Sequence, residues 1–234
     1  MCGRFAITLP PEAVRAFFDY VEQPNFPPRY NIAPTQPIPI VFARAHTGGA
    51  ERHFLLTRWG FLPGFVKDAK TFPLLINARA EGVGEKASFR AALRRRRCLV
   101  ISDGFYEWRR VPEKGLRQPY LIRRVNGEPM GLAGLWETWI DATGGEIDTA
   151  CIITTTANRL MSNVHERMPA ILPREAFSLW LDTDRVDPAT AVALLTPAPE
   201  SALELVPIGT AVNRFANDDA SVQAAVGEKV RAGR

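Results

Sequence analysis

The chain has 234 residues, of which 46% are hydrophobic and 23% charged, a balance that excludes a disordered or fibrous protein and suits one sizeable folded domain. A net charge of +4 and a pI near 9.2 permit a polyanionic partner without establishing one. No run of about 18 apolar residues could span a bilayer, and the start MCGRFAITLP lacks the basic and apolar stretches of a secretory leader, so a cytoplasmic protein with no membrane association is expected.

In chain order, Pro11 to Tyr20 reads as a short amphipathic helix, with Pro at its start, Glu12 in the first turn and apolar residues at helical spacing. The proline-rich stretch Asn25 to Pro39 excludes helix and suits irregular, extended structure. Apolar and β-branched runs predict strands at Ile38 to Phe42, His53 to Trp59, Cys98 to Trp108, Tyr120 to Val125, Leu132 to Ile140 and Thr149 to Thr155. Helical patterns at Lys86 to Arg95, Arg174 to Leu181 and Pro188 to Leu195 do not alternate regularly with these strands, which points to an α+β fold on a large antiparallel or mixed sheet. The basic run Arg94 to Arg97 follows the Lys86 to Arg95 pattern and could simply favour that helix's negative end while solvated. The polar, Ala-rich end from about Asp218 to Arg234 is expected to be loose and without chemistry, giving a domain over 1–218 and a tail over 219–234.

Common catalytic signatures are missing: no G-x-S-x-G elbow, no phosphate-binding glycine loop, and no second His after His165-Glu166. Three cysteines without C-x-x-C spacing suggest neither a disulfide framework nor zinc, and three histidines make a metal site unexpected. No cofactor is expected. Polar residues that stand out within or beside apolar runs are Asn77 and Arg79 in LLINARAE, Glu107 in DGFYEW, and His165 with Arg167 in NVHERMPA. Glu107 would be costly on a buried face unless paired or functional, yet strand alternation could equally turn it to water. His165 alone could be a satisfied structural histidine.

Cys2 carries a different signal. Methionine is normally trimmed before a small second residue, which leaves Cys2 with a free α-amine, reference pKa about 8, beside a thiol of about 8.5. Such a pair can condense with an aldehyde, first as an imine and then, by thiol attack, as a five-membered thiazolidine. Arg4 is near enough in sequence to be expected to raise the thiolate fraction.

The segments Met1-Cys2-Gly3-Arg4, RYNIAPTQ (29–36), RWGFLP (58–63), NARAE (77–81), RCLVISDGFYEW (97–108), AGLWE (133–137), TTTAN (154–158) and VHERMPAIL (164–172) together resemble the SRAP family of SOS response-associated peptidases, also called abasic-site processing proteins. The likeness runs from residue 2 to about residue 218. It implies a single α+β domain with a mostly antiparallel, barrel-like β core flanked by helices, and a basic cleft for single-stranded DNA or a single-strand/double-strand junction containing an abasic site.

By the family pattern, Cys2, freed of Met1 by self-processing or by an aminopeptidase, would form a thiazolidine crosslink with the ring-opened sugar, with lyase activity as a further outcome. Asn77 would orient the Cys2 amine, Glu107 would act as general acid/base, and His165 would move protons at sugar oxygens. Arg79 and Arg167 would grip phosphates, with Gly3, Arg4 and Arg90 along the groove. Trp108, Trp59 and Phe61 would stack on bases. The chain departs from the family in having Phe65 where Trp is frequent, and Ile101-Ser102 where Pro-Ala is more usual, a change expected to touch packing only. An N-terminal-cysteine glutamine amidotransferase shares only the first three residues. A thiol peptidase acting on other proteins through Cys2, Glu107 and His165, and a DNA-binding module without chemistry, are rival functions for the same residues.

Overall fold

The computed structural model describes residues 2–46, 49–111 and 116–233. Fourteen strands and five α-helices are found among the described residues. In chain order they are β1 (Phe5–Ile7), α1 (Pro11–Phe18), β2 (Arg29–Ile32), β3 (Pro37–His46), β4 (Gly49–Trp59), β5 (Asn77–Arg79), α2 (Ala87–Arg95), β6 (Arg97–Ser102), β7 (Gly104–Val111), β8 (Leu116–Arg124), β9 (Met130–Ile140), β10 (Glu146–Thr156), α3 (Arg159–Ser162), β11 (Arg167–Pro169), β12 (Ile171–Leu172), α4 (Phe177–Leu181), α5 (Pro188–Ala193), β13 (Leu203–Pro207) and β14 (Val230–Arg231).

Five strands close into a barrel. β4 pairs with β3, β3 with β6, β6 with β9 and β9 with β10, all antiparallel; β10 then returns to β4 in parallel register, Thr149 opposite Arg58 and Ala150 opposite Trp59. Closure removes the free edges that an open sheet of this size would expose. β5 continues along β10 where β4 leaves off, with Asn77 opposite Ile152 and Arg79 opposite Thr154, and β11 pairs with the far end of β10. The remaining strands form a six-stranded sheet in the order β14-β13-β8-β7-β1-β2, so the first strand of the chain lies inside a sheet and not at its edge.

Strand alternation sorts the core. Phe5 and Phe105 face the main core shared with the barrel, while Ala6, Tyr106 and Trp108 face a smaller cluster with Val206, Ile208, Val212 and Val222. Both faces of the six-stranded sheet are thereby covered. α1 begins with Pro11 at its first turn and ends at Asp19, whose left-handed φ of 58° releases the chain; its Val14 and Phe18 enter the main core.

The predicted run Cys98 to Trp108 is two strands in two different sheets. Asp103 breaks it by accepting hydrogen bonds from the Thr8 and Leu9 backbone amides and the Thr8 hydroxyl. Ser102 is fully buried, exchanges hydrogen bonds with Gly104 and donates to the Ala6 carbonyl, so the Ile101-Ser102 departure lies in a buried, packed segment. Between Asn25 and Pro39 the chain is not wholly irregular, since it holds β2 and the start of β3. Pro37 and Pro39 are tolerated there because β6 pairs only with Ile40 and Val41, leaving that end of β3 with one neighbour. Arg174 to Leu181 begins as a short 3-10 turn before becoming α4.

The end expected to be loose is folded down. β14 pairs with β13, Val222 is buried, and Gln223 donates to the Tyr106 hydroxyl at 2.9 Å. Glu204 on β13, with a side chain only 3% exposed, draws in Arg123, Lys229 and Arg231 at 2.8, 3.4 and 2.6 Å. None of the described helices is long and apolar enough to cross a membrane.

Candidate active site around Cys2

Cys2 is fully buried within the main core, just ahead of β1. From β5, the Asn77 side-chain amide donates from Nδ2 to the Cys2 carbonyl at 2.8 Å. The other end of that amide, Oδ1, is buried and accepts no hydrogen bond among the described residues. The amide thus has one end satisfied on Cys2 and a buried acceptor left over.

Glu107 is 3% exposed and lies on the Phe105 side of β7, so strand alternation turns it inward and not to water. The Cys2 thiol is pushed well above the ordinary range, first by burial and then by the negative charge of Glu107. The expected activation by Arg4 is not found. Arg4 turns to the other side, giving Nη1 hydrogen bonds to Asn31 Oδ1 at 2.9 Å and to the Val212 carbonyl at 2.8 Å. Its half-buried guanidinium ties the first strand to Asn31 and to the chain at Val212. Gly3, between the two, is partly buried.

His165 closes the loop that follows β10. Asn158 caps α3 in that loop by accepting from the Met161 amide, and the Arg167 backbone N–H donates to His165 Nδ1 at 3.0 Å. In a neutral ring this leaves the proton on Nε2. The Arg167 side chain, 11% exposed, is held by a bidentate pair to Glu81 at 2.9 and 3.0 Å and by the Thr154 carbonyl at 2.6 Å. Glu81 is correspondingly held below the usual carboxylate range, chiefly by hydrogen bonding from Arg167. Arg167 thus joins β11 to β10 and to the turn after β5.

Two of the aromatic expectations are also corrected. Trp59 is 0% exposed, packs edge-on against Phe5 and donates its indole N–H to the Ile76 carbonyl; Phe61 is 1% exposed. Neither ring has a face to offer a base. Trp108 is only partly buried, with its indole N–H on Asn213 Oδ1 at 2.7 Å, and Phe65 stands out at 61% exposure. Arg79 is exposed at the end of β5, on the same face as Asn77, with no ion pair to a carboxylate among the described residues. Arg90 is exposed on α2, in a cleft that none of Cys2, Asn77, Glu107 or His165 lines. No metal-binding cluster is found among the described residues.

Three residues to which the sequence pattern assigns no role complete the setting. Asn31, fully buried, receives Arg4 and donates to the carbonyls of Val212, Arg214 and Asn217. Thr154 joins β5 to β11, bonding to the Ala78 carbonyl and to Arg167. Glu81 fixes Arg167. Each sits in one of the family-like motifs, and the signal available was a polar residue inside or beside an apolar run.

The family model for the SOS response-associated peptidase matches residues 1–215. The chain belongs to the SRAP family. Among SRAP relatives, the abasic site processing protein YoqW of Bacillus subtilis (strain 168) is 35% identical over 227 residues, covering 93% of this chain and 96% of its own. The abasic site processing protein HMCES of Rattus norvegicus is 30% identical over 263 residues, covering 93% of this chain and 74% of its own. A crystal structure of a Bacteroides thetaiotaomicron protein superposes with a TM-score of 0.83 at 25% identity, covering 96% of this chain and 100% of that one. The single-domain SRAP architecture, α+β with a barrel-like β core, agrees with the expectation from sequence.

Proposed function

We propose that this protein processes abasic sites in single-stranded DNA, or at single-strand/double-strand junctions, by capturing the sugar aldehyde on Cys2. The names of the relatives support the substrate, and the Asn77 contact with Cys2 carries the chemistry. Met1 leaves by hydrolysis of the Met1–Cys2 bond, a self-processing step in this proposal. The freed α-amine then takes up the idle Asn77 Oδ1 as its acceptor.

The amine attacks first. A thiol held protonated by burial and by Glu107 is a poor opening nucleophile, whereas an α-amine with a reference pKa of about 8 is partly neutral near physiological pH. Amine addition to the aldehyde gives a carbinolamine, and loss of water gives the imine. Glu107 delivers the proton to the departing hydroxyl. The S–H then adds across C=N: sulfur bonds to carbon, and its proton passes through Glu107 to nitrogen. His165 moves protons at the sugar oxygens through Nε2. β-Elimination from the imine before ring closure would give the lyase outcome. Arg79 contacts a flanking phosphate, and Trp108 offers its exposed part to a base.

Single-stranded DNA with one abasic site is expected to form a heat-stable complex with the mature protein, with the adduct on Cys2 and Met1 absent by mass spectrometry. Cys2→Ala must abolish it; an equally heat-stable linkage in that variant sinks the mechanism. Self-processing is tested by translating Glu107→Gln in a system without aminopeptidase, where Met1 should be retained.

A further inference from the structure

The basic run Arg94 to Arg97 divides into two halves with different fates. Arg97 is buried and spends its guanidinium on the carbonyls of Leu93, Trp180, Asp182 and Val186. Arg96 lies over the Trp136 ring at 4.4 Å and pairs with Glu137 at 3.4 Å. Both are structural. Arg94 and Arg95 instead stand exposed at the end of α2, with Arg90 one turn earlier and Arg185 facing them from the loop between α4 and α5.

These four arginines line a cleft of about 600 Å³. None of them has an ion pair to a carboxylate among the described residues. Of the two acidic residues in the wall, Asp187 is turned into α5, accepting from the Ala189 and Thr190 amides and the Thr190 hydroxyl at 2.8, 3.1 and 2.7 Å. Two carboxylates thus stand against four cations, and the wall keeps a net positive charge. Arg90 and Arg94, four residues apart on one helix, repel each other, and an anion between them would relieve that repulsion.

The cleft adjoins a second groove. That groove, lined by Ala80, Glu81, Glu85, Leu93, Pro188 and Val192 among others, shares Pro188 with the basic cleft, and its Ala80 follows Arg79 in the chain. Of its two carboxylates, Glu81 is paired with Arg167, which leaves Glu85 as its unpaired acidic side chain among the described residues. Apolar walls suit bases, and guanidinium groups suit phosphates.

We propose that the cleft between α2 and the α4–α5 loop binds the phosphodiester backbone of single-stranded nucleic acid that has passed Arg79. The inference rests on the function proposed above, and it makes the interface longer than the lesion site. An Arg94→Glu/Arg185→Glu protein, with Arg94→Ala/Arg185→Ala as the milder variant and thermal melting as the folding control, is titrated with undamaged labelled oligonucleotides of about 5 and about 20 nucleotides at several salt concentrations.

The long strand should bind at least about tenfold more weakly, with a log–log salt slope shallower by about 0.7 for each lost phosphate contact; the short strand should be unaffected. Covalent capture of a short abasic oligonucleotide is measured in parallel. Unchanged affinity and slope for the long strand, with capture intact, overturn the cleft. Loss confined to duplex DNA overturns its assignment to single strands. Loss of long-strand binding in a protein that never captures an abasic site leaves the cleft standing and overturns the Cys2 chemistry instead.

Discussion

Asn31→Ala should be one of the most damaging single changes outside the barrel. The buried amide makes two strong donations, to Asn217 at 2.7 Å and Arg214 at 3.0 Å, shares a third with Val212 at 3.2 Å, and accepts from the Arg4 guanidinium at 2.9 Å. Two neutral hydrogen bonds at about 1 kcal/mol each and one from a charged donor at about 1.5–3 kcal/mol amount to about 3–5 kcal/mol. Against a native stability of about 5–15 kcal/mol, that is a large share. The assay is denaturant unfolding followed by tryptophan fluorescence and circular dichroism. Asn31→Asp supplies the discriminating control: it keeps a partner for Arg4 but turns a carboxylate oxygen toward the carbonyls, so it should rescue little. A loss under about 1 kcal/mol for the alanine variant, or near-native stability for the aspartate variant, refutes the assignment of Asn31 as the clamp.

Four further outcomes are expected. Burial alone would raise the Glu204 carboxyl, but hydrogen bonds from Arg231 and Arg123 outweigh it and hold it low; its stabilisation is therefore complete above the unfolded value of about 4.3 and lost as pH falls through the lowered native value. Hydrogen exchange should show the β14 segment releasing in acid, and Glu204→Gln should release it at neutral pH as well. Burial pushes the Cys151 thiol up to about 12 and those of Cys2 and Cys98 upward too, so iodoacetamide should label none of the three in the native chain retaining Met1 near pH 7, as read by intact mass, and all three after unfolding. Trp59→Phe should cost about 1–3 kcal/mol by leaving a void in a fully buried site and removing one of the two hydrogen bonds to the Ile76 carbonyl, which keeps that from the Ile152 amide, with no change in the salt slope of DNA binding. Gly134→Ala places a Cβ 2.9 Å from the Cys151 carbonyl and 3.0 Å from both Cys98 Sγ and Val100, and should cost about 1–3 kcal/mol in a thermal melt.

Much of the fold was legible because the barrel strands carry unbroken β-branched and apolar runs, and because Pro11 and Asp187 punctuate helices by local chemistry. Closure of the barrel was not legible: it rests on two parallel couples between β4 and β10, which leave no trace in periodicity. The split between Ser102 and Gly104 was hidden because the apolar pattern resumes after one residue, and only Asp103, called away by Thr8 and Leu9 nearly a hundred positions earlier, ends the strand. For the site, residue type suggested chemistry while remaining silent about direction. The internal partners of Arg4 and Arg167, Asn31 and Glu81, leave no mark in a string of letters, and Trp59 and Phe61 look like stacking platforms but face the core. Arg79, on the same strand and face as Asn77, keeps its expected exposure because the end of β5 projects it outward.

The clamp on the first strand has a consequence for how the protein is made. Phe5 pairs with Ile32 nearby in the chain but gains its second sheet partner only at Phe105, Arg4 closes on the carbonyl of Val212, and Asn31 needs the carbonyls of Arg214 and Asn217. At about 5–20 residues per second, the ribosome reaches those last positions on the order of 10–40 s after Cys2 emerges from synthesis. For all of that time the thiol exists without its geometry. A chain released early would carry the reactive residue but not the clamp that aims it, so competence is granted by the end of translation to a group laid down at its beginning.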